Sequence, residues 1–184
     1  CISIDENGSM YMSGNFALNA SFDTISVSGT GYINSFTAKI PFGGSQGTVL
    51  LSMIMQGFYN QYTEELITGD TVRLYLRGTS SPFVKIDSAV SVISKTNFTG
   101  AFTFANAASG SYYIQANHRN TVETWSSAPV QFERGGTTEF SFVNAQSSAF
   151  GNNQMLVDNM PVRYALFGGD VDQDGTVDAN DASI

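Results

Sequence analysis

The chain is poor in cysteine, in histidine and in charge. Cys1 is the one cysteine, so an intrachain disulfide is excluded and the fold must depend on its hydrophobic core. Charged residues are 13% of the 184 residues, and 8 Lys and Arg stand against 16 Asp and Glu, for a net charge of −8. With so few basic residues we expect no basic surface that binds nucleic acid. No apolar run reaches the roughly 18–20 residues of a membrane helix, so we expect no membrane span.

The residues that are abundant favour β-structure. Aromatic residues reach 12%, and the 18 glycines join Ser, Asn and Thr in turns between short apolar segments. In residues 71–77, Val72, Leu74 and Leu76 share one face of a strand, and charged or aromatic side chains share the other. We predict an all-β fold in which residues 48–167 form an antiparallel immunoglobulin-like β-sandwich of about seven strands. The predicted strands cover residues 48–55, 71–77, 84–93, 98–104, 112–118, 130–132 and 138–143, and residues 64–68 are predicted as a short helical turn.

Residues 1–41 are expected to form a separate unit, joined to the sandwich by a Gly-rich linker at 42–47. Short strand candidates alternate with turns such as 5–8, and residues 4–16 follow the pattern Ile-Asp-x-x-Gly-x-x-Tyr-x-x-Gly-x-Phe. The segment resembles the bacterial β-propeller repeat often called SBBP. A single blade cannot bury both of its faces, so the resemblance implies neighbouring blades or another partner.

The sandwich region carries a second resemblance. Its motifs are Gln56-Gly57-Phe58-Tyr59-Asn60, the strand Tyr112-Tyr113-Ile114, and the stretch His118-Arg119-Asn120 followed by Glu123-Thr124-Trp125-Ser126. Residues 48–167 resemble a module found near the C-termini of large secreted proteins of the Bacteroidetes and Ignavibacteria. The resemblance implies a secreted, cell-surface setting and no particular activity.

The strongest chemical signal lies in residues 170–181. Acidic side chains occupy positions 1, 3, 5, 9 and 12 of a twelve-residue loop, and glycine occupies position 6. This spacing wraps oxygen ligands around Ca²⁺. The predicted ligands are five carboxylates and the backbone carbonyl of a threonine: Asp170, Asp172, Asp174, Thr176, Asp178 and Asp181. The alternative is a solvated acidic tail, which needs neither the spacing nor the glycine.

Two features separate this loop from an EF-hand. Position 12 is Asp181 where an EF-hand has a bidentate Glu, and Gly168-Gly169 lie where an entering helix would end. From Gly169 to Asp181 the segment resembles a dockerin repeat, which lacks the entering helix. Dockerins carry two such repeats, so the resemblance implies that residues 168–184 are the first half of a dockerin-like segment.

A dense polar and aromatic group precedes the loop: His118, Arg119, Asn120, Glu123 and Trp125. In a functional interpretation, His118 pairs with Glu123 and Trp125 offers a stacking face to a sugar. In a structural interpretation, hydrogen bonds from the group fix the end of a strand and the loop that follows. Shared strand parity with Ile114 and Ala116 points His118 towards the core and favours the structural role.

No pattern indicates catalysis, so we expect a non-enzymatic protein. Gly43-x-Ser45-x-Gly47 has the form of a nucleophile elbow, but a predicted strand follows it and His118 is the sole candidate base. No pair of carboxylates stands out for glycoside hydrolysis.

Together, these features predict an extracellular structural or adhesive module of a bacterial cell-surface protein, with Ca²⁺ as its cofactor. A protein partner or self-association is expected. The alternatives are a filament subunit completed by strand exchange, docking through the dockerin-like segment, and carbohydrate binding through Trp125. Cys1 also suggests a lipid anchor, but it falls inside the blade-like repeat, and the missing initiator Met suggests an internal piece of a longer protein.

Overall fold

The computed structural model describes residues 2–4, 10–17, 19–22, 25–30, 33–40 and 46–183. Cys1, the predicted turn at 5–8, most of the predicted linker and Ser45 of the elbow pattern lie outside the described residues. The chain divides into two compact units, Cys1–Gly44 and Ser45–Ile184. Within the described residues the regular structure is strand, apart from 3₁₀ turns at Gln146–Ser148, Phe150–Asn152 and Asp181–Ser183. The predicted all-β class is therefore confirmed. None of these turns has the length and apolar character of a membrane-spanning helix.

The first unit contains two small antiparallel sheets in its described part. Its strands are β1 (Ile2–Ile4), β2 (Met10–Phe16), β3 (Asn19–Phe22), β4 (Ile25–Ser28) and β5 (Asn34–Ile40). Strands β1, β2 and β5 form a three-stranded sheet in that order, and β3 pairs with β4. The rings of Phe16 and Phe36 lie 6.2 Å apart across β2 and β5. None of the side chains in this unit whose burial is described is buried.

The second unit is built from two larger sheets and two hairpins. Its strands are β6 (Gly47–Ser52), β7 (Tyr59–Asn60), β8 (Glu65–Leu66), β9 (Asp70–Arg77), β10 (Lys85–Ile93), β11 (Thr99–Phe104), β12 (Gly110–His118), β13 (Thr121–Trp125), β14 (Val130–Phe132), β15 (Thr137–Ser141), β16 (Met155–Asn159) and β17 (Val162–Ala165). The main sheet has the order β10-β9-β12-β13, with β14 also paired to β12, and the second sheet has the order β11-β6-β15. Strands β7 and β8 form one hairpin, and β16 and β17 form the other.

The strand pairs in the second unit are antiparallel with one exception. Strand β15 runs parallel to β6, with Thr137 opposite Thr48 and Ser141 opposite Ser52, so the prediction of a wholly antiparallel sandwich is wrong at this pair. The chain leaves β14 in the main sheet and enters β15 in the second sheet, and this crossover makes parallel pairing possible. The predicted helical turn at 64–68 is also wrong, because residues 65–66 pair with residues 59–60.

Both sheets contribute side chains to one hydrophobic core. On β9, Val72, Leu74 and Leu76 are at most 1% exposed, which confirms the predicted alternation. Four phenylalanines are fully buried: Phe102, Phe104, Phe132 and Phe142. Burial of each such side chain contributes about 1.5–3 kcal/mol relative to exposure. The outward side chains of the main sheet remain available for polar and aromatic contacts.

Candidate functional site

The segment that leads into the acidic loop is held by backbone hydrogen bonds to β13 and to Asn120, the residue before it. The N–H of Val122 donates to the carbonyl of Phe167 at 2.9 Å, and the N–H of Gly169 donates to the carbonyl of Asn120 at 2.9 Å. The N–H of Gly168, between them, donates to Oε1 of Gln56 at 3.1 Å. This pairing continues the edge of the main sheet and fixes the residue that begins the loop, Asp170.

Asp170 lies at the base of the loop and is only 1% exposed. Its Oδ1 is buried and receives no hydrogen bond from the described residues. The carboxylates of Asp170, Asp172 and Asp174 each offer an oxygen within 4.8 Å of the other two. Burial raises the pKa of Asp170, and the carboxylates of Asp181 and Asp174 raise it further, against an opposing effect of the backbone N–H of Gly175. The structure thus brings together three of the six predicted ligands around a buried, unpartnered oxygen.

Short turns shape the rest of the loop. Oδ1 of Asp172 accepts from the N–H of Asp174 at 3.2 Å, and Oδ1 of Asp174 accepts from the N–H of Thr176 at 2.8 Å. Gly175 has a φ of +89°, a conformation that L side chains rarely adopt. This explains why glycine stands at position 6.

Asp181 closes the loop through backbone contacts. Its Oδ1 accepts from the N–H of Val171 at 2.6 Å and of Asp172 at 3.3 Å, and its Oδ2 accepts from the N–H of Asp178 at 2.8 Å. The Asp178 N–H is the main cause that lowers the pKa of Asp181. Asp178 in turn accepts from the N–H of Asn180 at 2.8 Å. Asp181, Asp178 and Thr176 lie outside the three-carboxylate cluster, and their roles as ligands stay predictions.

Gln173 is a residue of this site that sequence reasoning missed. Its Nε2 donates to the carbonyl of Asp170 at 2.6 Å and to the carbonyl of Thr121 on β13 at 3.5 Å. The side chain therefore ties the loop to the sheet. Loop position 4 has no characteristic residue in the calcium-loop pattern, so the sequence carried no signal for this contact.

The polar group at the end of β12 is centred on a buried imidazole. His118 is 2% exposed, on the same side of β12 as the buried Ile114 and Ala116, as its strand parity predicts. Its Nδ1 accepts from the N–H of Asn120 at 3.3 Å. Its Nε2 lies 3.3 Å from Oδ2 of Asp70, without the alignment of a hydrogen bond. Burial lowers the pKa of His118, because it disfavours the charged imidazolium, although the Asp70 carboxylate opposes this effect. The hydrogen bond that Nδ1 accepts needs an unprotonated Nδ1, which agrees with a neutral imidazole.

Arg119 completes this group from the surface. Its Nε and Nη2 donate to Oδ2 of Asp70 at 3.1 and 2.8 Å. The ring of Phe58 packs edge-on against His118, with centroids 5.4 Å apart, and its face receives the Arg119 guanidinium at 5.8 Å. The carboxylate that holds this group is Asp70, a residue 48 positions before His118 that sequence reasoning did not connect to it.

Glu123 and Trp125 belong to a different group, on the outer face of the main sheet. Oε1 of Glu123 accepts from Nε1 of Trp125 at 2.5 Å, and Oε2 accepts from Gln115 and Asn117 at 2.5 and 3.3 Å. Within the described part of the chain the structure therefore does not pair His118 with Glu123. The buried His118 is held by strand-end contacts, and Trp125 is half-buried on the outer face of the main sheet.

A scan against models of protein families gives no match to the chain, and a search of curated proteins gives no match either.

Proposed function

We propose that the chain is an extracellular, non-enzymatic module of a bacterial cell-surface protein, with a structural or adhesive role, and that Ca²⁺ holds its C-terminal loop. In this proposal, residues 48–167 are an immunoglobulin-like sandwich, residues 168–184 are the first half of a dockerin-like segment, and residues 1–41 are a propeller-blade-like repeat. The sequence resemblances support the setting, and the strand-only fold supports a scaffold.

The observation that carries the calcium proposal is the unpartnered, buried Oδ1 of Asp170. A buried, ionised carboxylate with one unsatisfied oxygen and no counter-ion destabilises the folded state. Asp172 and Asp174 add two more negative charges next to it. A bound divalent cation would remove both the unsatisfied acceptor and the mutual repulsion.

Ca²⁺ fits this donor set better than other common metals. The cluster offers only hard oxygen ligands, and thiol or imidazole groups are absent from it. Ca²⁺ accepts six to eight oxygens in irregular geometry, whereas Mg²⁺ demands a compact octahedron. In the extracellular medium, even a site with a Kd of about 10⁻⁴–10⁻³ M would be filled.

Limited proteolysis tests whether calcium holds the loop. The chain is digested in excess EDTA and in millimolar CaCl₂, and cleavage between residues 168 and 184 is followed by mass spectrometry. We expect calcium to protect this segment and MgCl₂ to protect it much less. Equal cleavage rates in EDTA and in calcium would contradict the proposal.

Self-association is the second candidate function. In the first unit, the side chains whose burial is described are not buried. A blade-like repeat that does not bury its own faces needs a neighbour, which another copy of the chain could supply by strand exchange. Growth of light scattering with protein concentration, with filaments in electron micrographs, would support this alternative, and a monomer at all concentrations would exclude it.

Docking to a partner through a complete dockerin is the third alternative. It requires a second calcium loop and its helices. The reading frame beyond Ile184 decides this point directly, because a dockerin partner surface includes both repeats.

A further inference from the structure

Three cations on the outer face of the main sheet have no carboxylate partner among the described residues. Arg73 and Arg77 lie on β9, and Lys85 lies on β10. In the part of the chain described from residue 46 onward, the ion pairs use other basic residues: Lys95, His118, Arg119 and Arg163. Lys85 and Arg77 are also direct register partners, a position in which like charges repel each other. This face therefore concentrates unpaired positive charge in a chain whose net charge is −8.

Aromatic rings lie next to two of these cations. The guanidinium carbon of Arg77 lies 5.5 Å from the centre of the Tyr75 ring and 5.4 Å from that of Trp125, and Nζ of Lys85 lies 5.4 Å from the Tyr75 ring. Nε of Arg77 donates to Gln115 at 2.5 Å. The nearby carboxylate of Glu123 accepts from neutral donors and not from these cations. Cation–π contacts hold the side chains in place but leave their charge uncompensated.

An apolar pocket of 290 Å³ adjoins this group. Its walls are one serine and four aromatic residues: Phe83, Tyr113, Trp125, Ser126 and Phe150. The rings of Phe83, Tyr113 and Trp125 lie 5.9–6.2 Å from one another. Phe83 is 39% exposed and Phe150 is 68% exposed, so the pocket is open to solvent.

Phe83 reaches this position at a conformational cost. Its φ is +53°, and the left-handed region costs a bulky residue about 1–2 kcal/mol. Strain of this kind persists where the surrounding structure imposes it, and it concentrates at ligand sites. Here it places the Phe83 ring against Tyr113 and Trp125 at the mouth of the pocket.

We propose that this face binds an acidic carbohydrate, a glycan whose sugar rings carry carboxylates. The pocket of Phe83, Tyr113 and Trp125 takes the apolar face of a sugar ring, and Arg77 and Lys85 bind its carboxylate through charge-assisted hydrogen bonds. Arg73 lies four residues from Arg77 on the same side of β9, about 13 Å away at the rise of a strand, so a repeating acidic chain reaches both.

The small number of cations and the adjoining aromatic pocket favour this ligand over duplex nucleic acid. A duplex site neutralises many closely spaced phosphates with a broad basic surface. Three cations beside one aromatic pocket suit a single chain that carries one carboxylate per sugar. The site uses no residue of the acidic loop, so it is independent of the calcium proposal.

Calorimetric titration of the full chain with an oligogalacturonate tests the inference, with its methyl ester as the matched neutral ligand. We expect the acid to bind and the ester to bind at least about tenfold more weakly. Arg73→Gln and Lys85→Gln should each weaken binding about two- to fivefold without loss of thermal stability, since neither cation has an ion-pair partner in the part of the chain that the structure describes. Trp125→Ala should weaken it about five- to tenfold.

Two control variants make the result specific. Lys95→Gln removes a cation that lies outside this face and pairs with Glu65, and it should leave glycan affinity unchanged. Asp172→Ala should leave it unchanged as well. The inference would be overturned if the chain bound neither ligand, or if it bound the acid and the ester equally. It would also be overturned if both Arg73→Gln and Lys85→Gln left affinity unchanged, or if oligothymidylate bound as tightly as the acid.

Discussion

The backbone N–H of Gly169 donates a 2.9 Å hydrogen bond to the carbonyl of Asn120. The acidic loop and the polar group at the end of β12 therefore share the backbone between β12 and β13. The N–H of the same Asn120 donates to the imidazole of His118. Ordering of the loop by a bound cation is thus expected to stiffen this connection.

Replacement of Asp170 by Asn should have opposite effects with and without calcium. Because the pKa of Asp170 is raised in the folded state, its contribution to stability is present at low pH and is lost as the pH rises through the folded pKa. At pH 7 the metal-free Asp170→Asn protein should therefore melt at a higher temperature than the parent chain. Its affinity for Ca²⁺ should fall at least about tenfold, or about 1.4 kcal/mol.

Differential scanning calorimetry in EDTA and in calcium measures both effects. Glu139→Gln serves as the control, because Glu139 is exposed on β15, and it should change neither result. If Asp170→Asn melted at a lower temperature than the parent chain in EDTA, the buried carboxylate would not be destabilising, and this interpretation would be contradicted.

Gly175→Ala should impair calcium binding through the backbone. A residue with a side chain at φ +89° is strained by about 1–2 kcal/mol, so the metal-bound loop conformation becomes less accessible. Gly57 provides a matched control, since it has a φ of +84° and open space on the side where a Cβ would lie. Gly57→Ala should lower the melting temperature and leave calcium affinity intact. Equal calcium affinity in the two variants would count against the assigned loop geometry.

Stability should fall as the pH drops below about 6.5, because of His118. The pKa of His118 is lowered in the folded state, so the unfolded chain takes up a proton first as the pH falls. The neutral imidazole therefore contributes to the stability of the fold above the unfolded pKa, and this contribution is lost as the pH falls towards the folded pKa. His118 is the one histidine in the chain, so His118→Gln should flatten the melting temperature between pH 7 and 5. The Asp170→Asn background removes the opposite contribution of Asp170. A profile unchanged by His118→Gln would refute the assignment.

Asp87→Ala should destabilise the second unit by about 3 kcal/mol. The Asp87 carboxylate accepts from the N–H groups of Asn106, Ala107 and Ser88 at 2.7, 3.0 and 2.8 Å. Burial alone would raise the pKa of Asp87, but these donors outweigh it and hold the pKa below its usual value. The contribution of Asp87 to the stability of the fold is thus present above the unfolded pKa of 3.8 and lost as the pH falls through the folded pKa.

Urea denaturation of Asp87→Ala, with Asp87→Asn as the milder variant, measures the loss of stability. A cost below that of Glu139→Gln would contradict this role.

Local pattern was enough to predict much of the second unit. The alternation of Val72, Leu74 and Leu76 identified β9 and its buried face, because the period of two is a property of the strand itself. Parity along β12 placed His118 inside. The parallel pairing of β15 with β6 was not predictable in this way, because it depends on how the chain crosses between sheets over a long sequence separation.

The candidate site shows the same division between local and distant contacts. The acidic residues at 170, 172 and 174 were found from their spacing, since the ligands of such a loop lie close together in sequence. Asp70, which faces His118, and Gln173, which bonds to Thr121 on β13, were missed. Their contacts join residues about 50 positions apart, and no spacing rule connects them.

Isothermal titration with CaCl₂, after removal of metal with EDTA, is the most direct test of the central proposal. The parent chain should show saturable binding of one Ca²⁺ with a Kd at or below about 10⁻³ M. Asp172→Ala should abolish this binding, and Glu139→Gln should retain it. Absence of binding heat in the parent chain, or unchanged binding in Asp172→Ala, would contradict the assignment of a calcium site to the acidic loop.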